Sequence, residues 1–310
     1  MTSPPRPRPH PAGPLPDLPG SRPRESSPGP DDGPPRRFRD LDDYRVEREW
    51  RRYEGTAQRR LFRELRSRFL ARHRVPRGWS LDLGSGPGRF LRHLGGEADR
   101  RVALDLSLGM LSRIPPDGPD GAEAVRGDGL RPPFAPRSFA EVVALGNVIG
   151  FAASRAEELL TGVLSLAAPG GIAIVEIVAG PGERSRYLGR LPPTALARLL
   201  RAPVPALLPR VDREGFAREP VRRREPGTFR RVDPARLRAT ASASGAVVLE
   251  TMAVAPALGA DPARLEAVAL DPAAWAHLLD LEEAFGHRTE RQLEAAALLV
   301  ALTTPFDTHD

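Results

Sequence analysis

Residues 81–90, with the sequence LDLGSGPGRF, constrain the fold of this chain more than any other segment. A short apolar run of β-type ends in three closely spaced glycines, and we predict a helix over 88–94. Glycine lets the backbone approach a ligand closely, and the first turn of a helix presents unpaired N–H donors. The segment therefore predicts a strand, a ligand-binding turn and a helix, which is the opening unit of a parallel α/β sheet.

Further β-type and helical runs alternate along the chain, which favours a mostly parallel sheet with helices on both faces. Around residues 43–73 the apolar spacing predicts two helices, broken at Gly55 and Thr56. The strands are predicted at 79–83, 101–106, 122–126, 141–145, 172–178, 246–253 and 295–303, and the later helices at 154–168, 194–201, 233–244 and 271–285.

Composition divides the chain into five parts. Residues 1–40 hold 13 of the 35 prolines and are predicted to be a disordered tail, because they cannot bury enough apolar surface to offset the entropy of ordering. We expect an N-terminal helical cap at 41–78 and a ligand-binding core at 79–181. An arginine-rich cap insertion is expected at 182–232, and the remainder of the core at 233–310.

Two missing residue types narrow the chemistry. The sequence has no cysteine, and all 46 basic residues other than histidine are arginine. Disulfides, thiolate zinc sites, cysteine nucleophiles and lysine Schiff bases are therefore excluded. The six histidines are scattered, so no metal is expected. With no long apolar segment and no secretory signal, we expect a cytoplasmic protein.

The details of the glycine-rich turn distinguish between two kinds of ligand. A dinucleotide fingerprint has the spacing Gly-x-Gly-x-x-Gly, but Arg89 occupies the position of its third glycine. The observed spacing is Gly-x-Gly-x-Gly, with Asp82 two residues before the first glycine. A carboxylate there would crowd a pyrophosphate, whereas it suits a ligand that carries ammonium and sulfonium charges. An NAD-dependent oxidoreductase is accordingly disfavoured.

Residues 82–88 resemble the first motif of the class I S-adenosylmethionine-dependent methyltransferases, and later motifs of that family follow in order. The resemblance implies a three-layer Rossmann-like fold with a mostly parallel seven-stranded sheet, and S-adenosyl-L-methionine as the cofactor. It implies that the turn binds the cofactor through Asp82, Gly84, Ser85, Gly86 and Gly88.

The resemblance also assigns residues beyond the first motif. It implies that Asp105, 23 residues after Asp82, binds the ribose hydroxyls, and that Leu106 and Met110 pack against adenine. The pair Asp128 and Gly129 would meet the adenine amino group. In residues 139–151 the fourth motif places Gly146 and Asn147 beside the reactive methyl group. Tyr53 resembles the residue with which an N-terminal helix covers the cofactor.

The catalytic residues and the methyl acceptor stay open. No convincing general base is found, since Glu176 is expected to be structural and His287 to lie at the surface. Net charges of +7 over 45–75 and +9 over 182–238 favour an anionic acceptor. Few aromatic residues accompany these arginines, so a small molecule is preferred over RNA. An RNA methyltransferase and a non-catalytic S-adenosylmethionine-binding protein are the alternatives.

Overall fold

The computed structural model describes residues 43–51, 54–95, 100–179, 193–206, 231–255, 262–289, 292 and 297–305. The predicted tail and most of the predicted arginine-rich insertion lie outside these residues. The helix predicted at 194–201 is present and spans Pro193–Leu199.

Seven strands form one sheet in the order β3-β2-β1-β4-β5-β7-β6. Their bounds are Ser80–Leu83 (β1), Arg101–Asp105 (β2), Glu123–Arg126 (β3), Phe139–Ala144 (β4), Ala167–Ile177 (β5), Val247–Ala253 (β6) and Leu298–Thr303 (β7). Strands β1 to β5 pair in parallel, and β7 runs antiparallel to both β5 and β6. The predicted mostly parallel seven-stranded sheet is therefore confirmed.

The helices of the described residues cover both faces of the sheet. Their bounds are Asp43–Trp50 (α1), Ala57–His73 (α2), Leu108–Leu111 (α3), Val148–Phe151 (α4), Ala156–Leu166 (α5), Pro193–Leu199 (α6), Pro234–Ala243 (α7), Pro262–Ala269 (α8) and Pro272–Gly286 (α9). One apolar cluster joins the sheet to α2, α8 and α9, and a second joins it to α5 and α7. This arrangement gives the three layers that were predicted.

The break between the first two helices follows from local chemistry. Gly55 has a φ of +80°, which continuing helix does not allow. Thr56 then caps α2, because its hydroxyl oxygen accepts a hydrogen bond from the Arg59 N–H at 3.2 Å. The predicted interruption at Gly55 and Thr56 is thus found.

The helix predicted at 88–94 is wrong. Residues 84–90 form turns, and only one 3-10 turn follows at Leu91–His93. Gly86 and Gly88 have φ values of +53° and +77°, so a right-handed helix cannot begin before residue 89. At Gly95 an added Cβ would lie 1.6 Å from the Val75 carbonyl oxygen, so this position has no room for a side chain. The helices α3, α4 and α8 were not predicted.

None of the helices in the described part of the chain has the length and apolar character that a bilayer crossing requires.

Candidate functional site

A cavity of about 270 Å³ opens at the carboxyl ends of β1, β2 and β4. The chain leaves β1 toward β2 on one side and later places β4 on the other, and ligands of open α/β sheets bind at such a switch point. Nine of the predicted site residues line the cavity: Asp82, Gly84, Ser85, Gly86, Asp105, Leu106, Met110, Asp128 and Gly129.

The first two glycines of the turn have different structural roles. The N–H groups of Gly84 and Ser85 both donate to the Leu104 carbonyl, at 2.7 and 3.1 Å, which ties the turn to β2. A Cβ at Gly84 would lie 2.4 Å from Val148 Cγ2, so no side chain fits there. At Gly86 a Cβ would meet nothing within 4 Å. The backbone at this second glycine is therefore open toward the cavity.

Gly88 does not line the cavity, contrary to its predicted role in cofactor binding. A Cβ at this position would lie 2.6 Å from Leu91 Cδ1 and 2.9 Å from Ile114 Cγ1, both in the apolar core. With a φ of +77°, the residue also requires glycine for its backbone conformation. Gly88 is thus needed for packing and chain direction beneath the turn.

Asp82 is a buried carboxyl, 4% exposed, at the cavity surface. No N–H or O–H group of the described residues donates a hydrogen bond to it. Burial, with smaller contributions from the charges of Asp105 and Glu141, raises the pKa of Asp82 to about 7. This carboxyl is therefore positioned to gain from a cationic ligand, which would favour its ionised form.

Asp105, at the end of β2, connects the glycine-rich turn to the next loop. Its Oδ2 accepts from the Gly86 N–H at 2.9 Å, and its Oδ1 accepts from the Ser107 N–H at 2.8 Å. Burial raises the pKa of Asp105, and these backbone hydrogen bonds partly oppose that rise. Each carboxylate oxygen has two lone pairs, so both can accept a further hydrogen bond from a ligand.

Apolar and acidic groups complete the side of the cavity near β3. Asp128 Oδ1 accepts from the Leu130 N–H at 3.0 Å, which fixes the acid at its own turn. A Cβ at Gly129 would lie 2.8 Å from Leu83 Cδ2, so a side chain here would fit only if Leu83 shifted. Leu106 and Met110 also line the cavity. This combination suits a flat, largely apolar group with a polar edge.

Asn147 lies at the predicted strand end, but its side chain does not face the cavity. Its side chain is 5% exposed and is absent from the cavity lining. Its Oδ1 accepts from the Val178 N–H at 3.0 Å, and its backbone is left-handed, with a φ of +65°. The amide therefore satisfies a backbone donor, and its neighbour Gly146 lines the cavity instead. Tyr53, the remaining predicted contact, lies outside the described residues.

The sequence predicted an N-terminal helix over the cofactor, but it did not identify the residues of α1 that line the cavity. Arg48 and Glu49 of α1 line the cavity together with Arg89, the residue that follows the glycine-rich turn. The Arg89 guanidinium donates two hydrogen bonds to the Glu49 carbonyl, at 3.0 and 2.8 Å, and lies 5.4 Å from the centre of the Trp50 ring. Helical spacing predicted α1, but no sequence signal joined it to Arg89, 40 residues later.

Comparison with known proteins identifies the core. A family model described as "methyltransferase domain" matches residues 81–171, which include most of β1, the glycine-rich turn and strands β2 to β4. Residues 81–171 therefore form a methyltransferase domain. The predicted family and fold are confirmed, and S-adenosylmethionine is the cofactor of this family.

Among curated proteins, the methyltransferase domain is similar to the biotin biosynthesis bifunctional protein BioHC of Cellvibrio japonicus. The two are 34% identical over 102 residues, which is 33% of this chain and 20% of BioHC. The match therefore spans about a fifth of the curated relative.

Solved structures of methyltransferases are also similar to this chain. One chain from the complex between the Haloferax volcanii Trm112 methyltransferase activator and a methyltransferase is 20% identical, with a TM-score of 0.49 over 87% of this chain and 100% of that one. An S-adenosylmethionine-dependent methyltransferase from Mesorhizobium loti is 16% identical, with a TM-score of 0.47 over 81% of this chain and 99% of that one.

The charges around the cavity fit the cofactor of the methyltransferase domain. Among the described residues, the lining contains the acids Glu49, Asp82, Asp105 and Asp128 and two arginines, Arg48 and Arg89. S-adenosylmethionine carries a sulfonium and an ammonium, and such a cation suits a lining with more carboxylates than arginines. Within the described residues no group of three or more His, Cys, Asp or Glu could hold a metal ion.

Proposed function

We propose that this chain transfers the methyl group of S-adenosylmethionine to a small acceptor molecule. One observation carries the proposal: Asp82 is a buried carboxyl that receives no hydrogen bond from the described residues and lies beside an open glycine-rich turn. Leaving a buried carboxylate unpaired is costly. A bound cation would offset that cost, which argues that the pocket is adapted to a positively charged ligand.

The proposed contacts divide the cofactor among the three acids. Asp82 would meet the positively charged methionine end, and the open backbone at Gly86 would let that end come close to the turn. Asp105 would accept from the ribose hydroxyls while it keeps the hydrogen bonds from Gly86 and Ser107. The second oxygen of Asp128 would accept from the adenine amino group, with Leu106 and Met110 against the adenine ring.

When bound, the cofactor would supply a methyl carbon activated by the adjacent sulfonium. A nucleophile of the acceptor would attack this carbon in line, and S-adenosylhomocysteine would leave as the neutral thioether. The chain contributes chiefly position and exclusion of water. The apolar wall formed by Leu145, Val148 and Phe151 limits the access of water on one side, and α1 covers another. Because the acceptor is unidentified, no general base is assigned.

A small acceptor is favoured by the modest size of the cavity and its mostly apolar lining, which includes Phe151 and Ala152. The described lining itself carries more acids than arginines. Attraction of an anionic acceptor, as the charge of the sequence suggests, would therefore depend on residues around the opening. Arg48, whose side chain is 63% exposed at the cavity edge, is one such residue.

Calorimetric titration of the purified chain with S-adenosylmethionine and with its demethylated product, S-adenosylhomocysteine, tests cofactor binding. The second step uses cofactor labelled with tritium in the methyl group, which is added with the protein to cell extract before and after ribonuclease treatment. Label in the small-molecule fraction supports the proposal. Label lost with ribonuclease would instead identify an RNA methyltransferase, binding without incorporation would identify a non-catalytic binding protein, and absence of binding would overturn the proposal.

A further inference from the structure

The chain leaves β4 through two residues in the left-handed conformation, Gly146 and Asn147, with φ values of +71° and +65°. The last residue pair between β4 and β5 is Ala144 with Val175. Beyond it, two side chains continue the connection between these strands. The Gly146 N–H donates to Glu176 Oε2 at 3.0 Å, and the Val178 N–H donates to Asn147 Oδ1 at 3.0 Å. These two hydrogen bonds fix the direction in which the chain turns out of the sheet.

The turn from β4 to α4 (residues 145–148) forms one wall of the cavity, and it packs directly on the opposite wall. Leu145, Gly146 and Val148 all line the cavity. Val148 contacts the glycine-rich turn at Gly84, where an added Cβ would lie 2.4 Å from Val148 Cγ2. A change in the β4–α4 turn would therefore change the separation of the two walls that enclose the cofactor.

Glu176, which accepts from Gly146, is held in turn by Arg66 of α2. The Arg66 Nε donates to Glu176 Oε2 at 2.8 Å and its Nη2 donates to Oε1 at 2.5 Å, while Nη1 donates to the Phe62 carbonyl at 2.9 Å. The side chains of Arg66 and Glu176 are only 7% and 4% exposed. Because desolvation opposes the attraction between buried charges, such a pair is a weak source of stability compared with apolar packing.

We propose that Arg66 and Glu176 are positioning residues for the cofactor pocket: the arginine orients the carboxylate, and the carboxylate holds the Gly146 N–H and with it the β4–α4 turn. This inference rests on the proposed function, because cofactor affinity is one of its readouts. Glu176 is buried, is paired with Arg66 and does not line the cavity, so the residue acts on the pocket wall and does not serve as a general base.

Two double variants test the proposal, and they differ in one hydrogen-bond acceptor. R66M/E176Q and R66M/E176M both remove the buried ion pair, but only the glutamine can still accept from the Gly146 N–H. We expect the dissociation constant for S-adenosylhomocysteine to stay within about threefold of wild type in R66M/E176Q and to rise roughly tenfold in R66M/E176M, as for the loss of one hydrogen bond. Leu278→Ala, a cavity-forming change in α9 away from the pocket, controls for general destabilisation.

Hydrogen–deuterium exchange without ligand provides a second readout, which does not depend on the proposed function. Residues 145–149 should exchange faster in R66M/E176M than in R66M/E176Q, and L278A should leave them unchanged relative to the rest of the sheet. Equal affinity and equal exchange in the two double variants would overturn the positioning role. If wild type binds no cofactor, the proposed function fails, and the exchange data still decide the role of the pair.

Should R66M/E176M fail to fold, Arg66→Lys takes its place, because it keeps the charge and gives up the two-point contact with Glu176. Faster exchange at 145–149 together with weaker binding of S-adenosylhomocysteine is then expected. Wild-type exchange in this variant would contradict the proposal.

Discussion

Two buried carboxyls on the adjacent strands β1 and β4 differ in their relation to the cavity. Asp82 lies toward the carboxyl end of β1, where the cavity opens, and Glu141 lies beside Ser80 at the start of that strand. Asp82 on β1 is 4% exposed and Glu141 on β4 is fully buried, and burial raises the pKa of each to about 7. Glu141 Oε2 accepts from the Gly95 N–H at 2.6 Å and from the Ser80 hydroxyl at 3.1 Å. Asp82 accepts from no described residue and faces the cavity.

The comparison shows that a raised pKa does not by itself identify a binding site. Burial is the largest cause of the raised pKa of both residues, so the two pKa values show only that both carboxyls are buried. The two differ in their partners and position. A backbone N–H and a hydroxyl already bind Oε2 of Glu141, whose Oε1 is buried without a partner and away from the cavity, whereas Asp82 faces the cavity and is open to a ligand. We therefore expect changes at Asp82 to affect ligand binding and changes at Glu141 to affect only stability.

The largest expected effect concerns stability and pH. A carboxyl whose pKa is higher in the folded than in the unfolded state binds its proton more tightly when folded, so stability is lost as pH rises between the two values. For Glu141 this interval runs from 4.5 to about 7. Relative to Glu141→Gln, the free energy of unfolding of wild type should fall by on the order of 3 kcal/mol across it. Urea denaturation at several pH values measures this, and a difference independent of pH would refute the assignment.

The second prediction concerns cofactor affinity. Asp82→Asn removes the charge and keeps the shape, and we expect it to weaken S-adenosylmethionine binding by about 1.5–3 kcal/mol, the scale of a hydrogen bond to a charged group. Glu141→Gln is the matched control, because it neutralises a carboxyl of similar pKa that does not reach the cavity. Calorimetry should show near wild-type affinity for this control. Equal losses of S-adenosylmethionine affinity in the two variants would contradict the proposed difference between Asp82 and Glu141.

Asp105 combines features of Asp82 and Glu141. It faces the cavity, as Asp82 does, and it also accepts two backbone hydrogen bonds. Asp105→Ala should weaken cofactor binding by about 1–3 kcal/mol, because it removes the proposed ribose contact and the support of Gly86. Adenosine, which has the ribose but lacks the methionine end, is a useful second ligand. Its affinity should fall in Asp105→Ala and change little in Asp82→Asn. Unchanged adenosine binding in Asp105→Ala would contradict the ribose assignment.

The smallest predicted effect is the pH dependence of affinity. Below pH 7 most Asp82 is protonated in the free protein, so a cationic ligand must displace a proton. Affinity for S-adenosylmethionine should therefore fall as pH decreases below 7, by at most about tenfold for each pH unit. The amino group of the ligand also titrates, near pH 8. The ratio of wild-type to Asp82→Asn affinity cancels that contribution, and a ratio that does not vary between pH 5.5 and 7.5 would refute the prediction.

Local sequence signals were sufficient where the interaction itself is local. The break at Gly55 and Thr56 was predicted because a left-handed residue and a helix cap act within one turn of the chain. The strands that contain Asp82 and Asp105 were recognised in the same way, from short apolar runs. The family resemblance gave the order of the motifs along the chain. It therefore also predicted that the acids lie together at the carboxyl ends of the strands.

Predictions failed where packing between distant elements decides the outcome. Gly88 belongs to the same glycine pattern as Gly86, but it faces Leu91 and Ile114 in the core. Asn147 was placed at the correct strand end, yet its side chain turns to Val178. The short helix α4, whose Val148 contacts Gly84, had no clear periodicity over its four residues.

The sequence by itself determined that a β-strand enters a glycine-rich turn with an acid before it, and that a second acid follows at the end of the next strand. Those features depend on residues close together in the chain. Only the tertiary structure decided which groups remain available to a ligand. Glu176 is occupied by Arg66, 110 residues away, whereas Asp82 receives no such partner from the described residues. Whether a buried carboxylate is paired depends on which elements the fold brings beside it, and that information is not local.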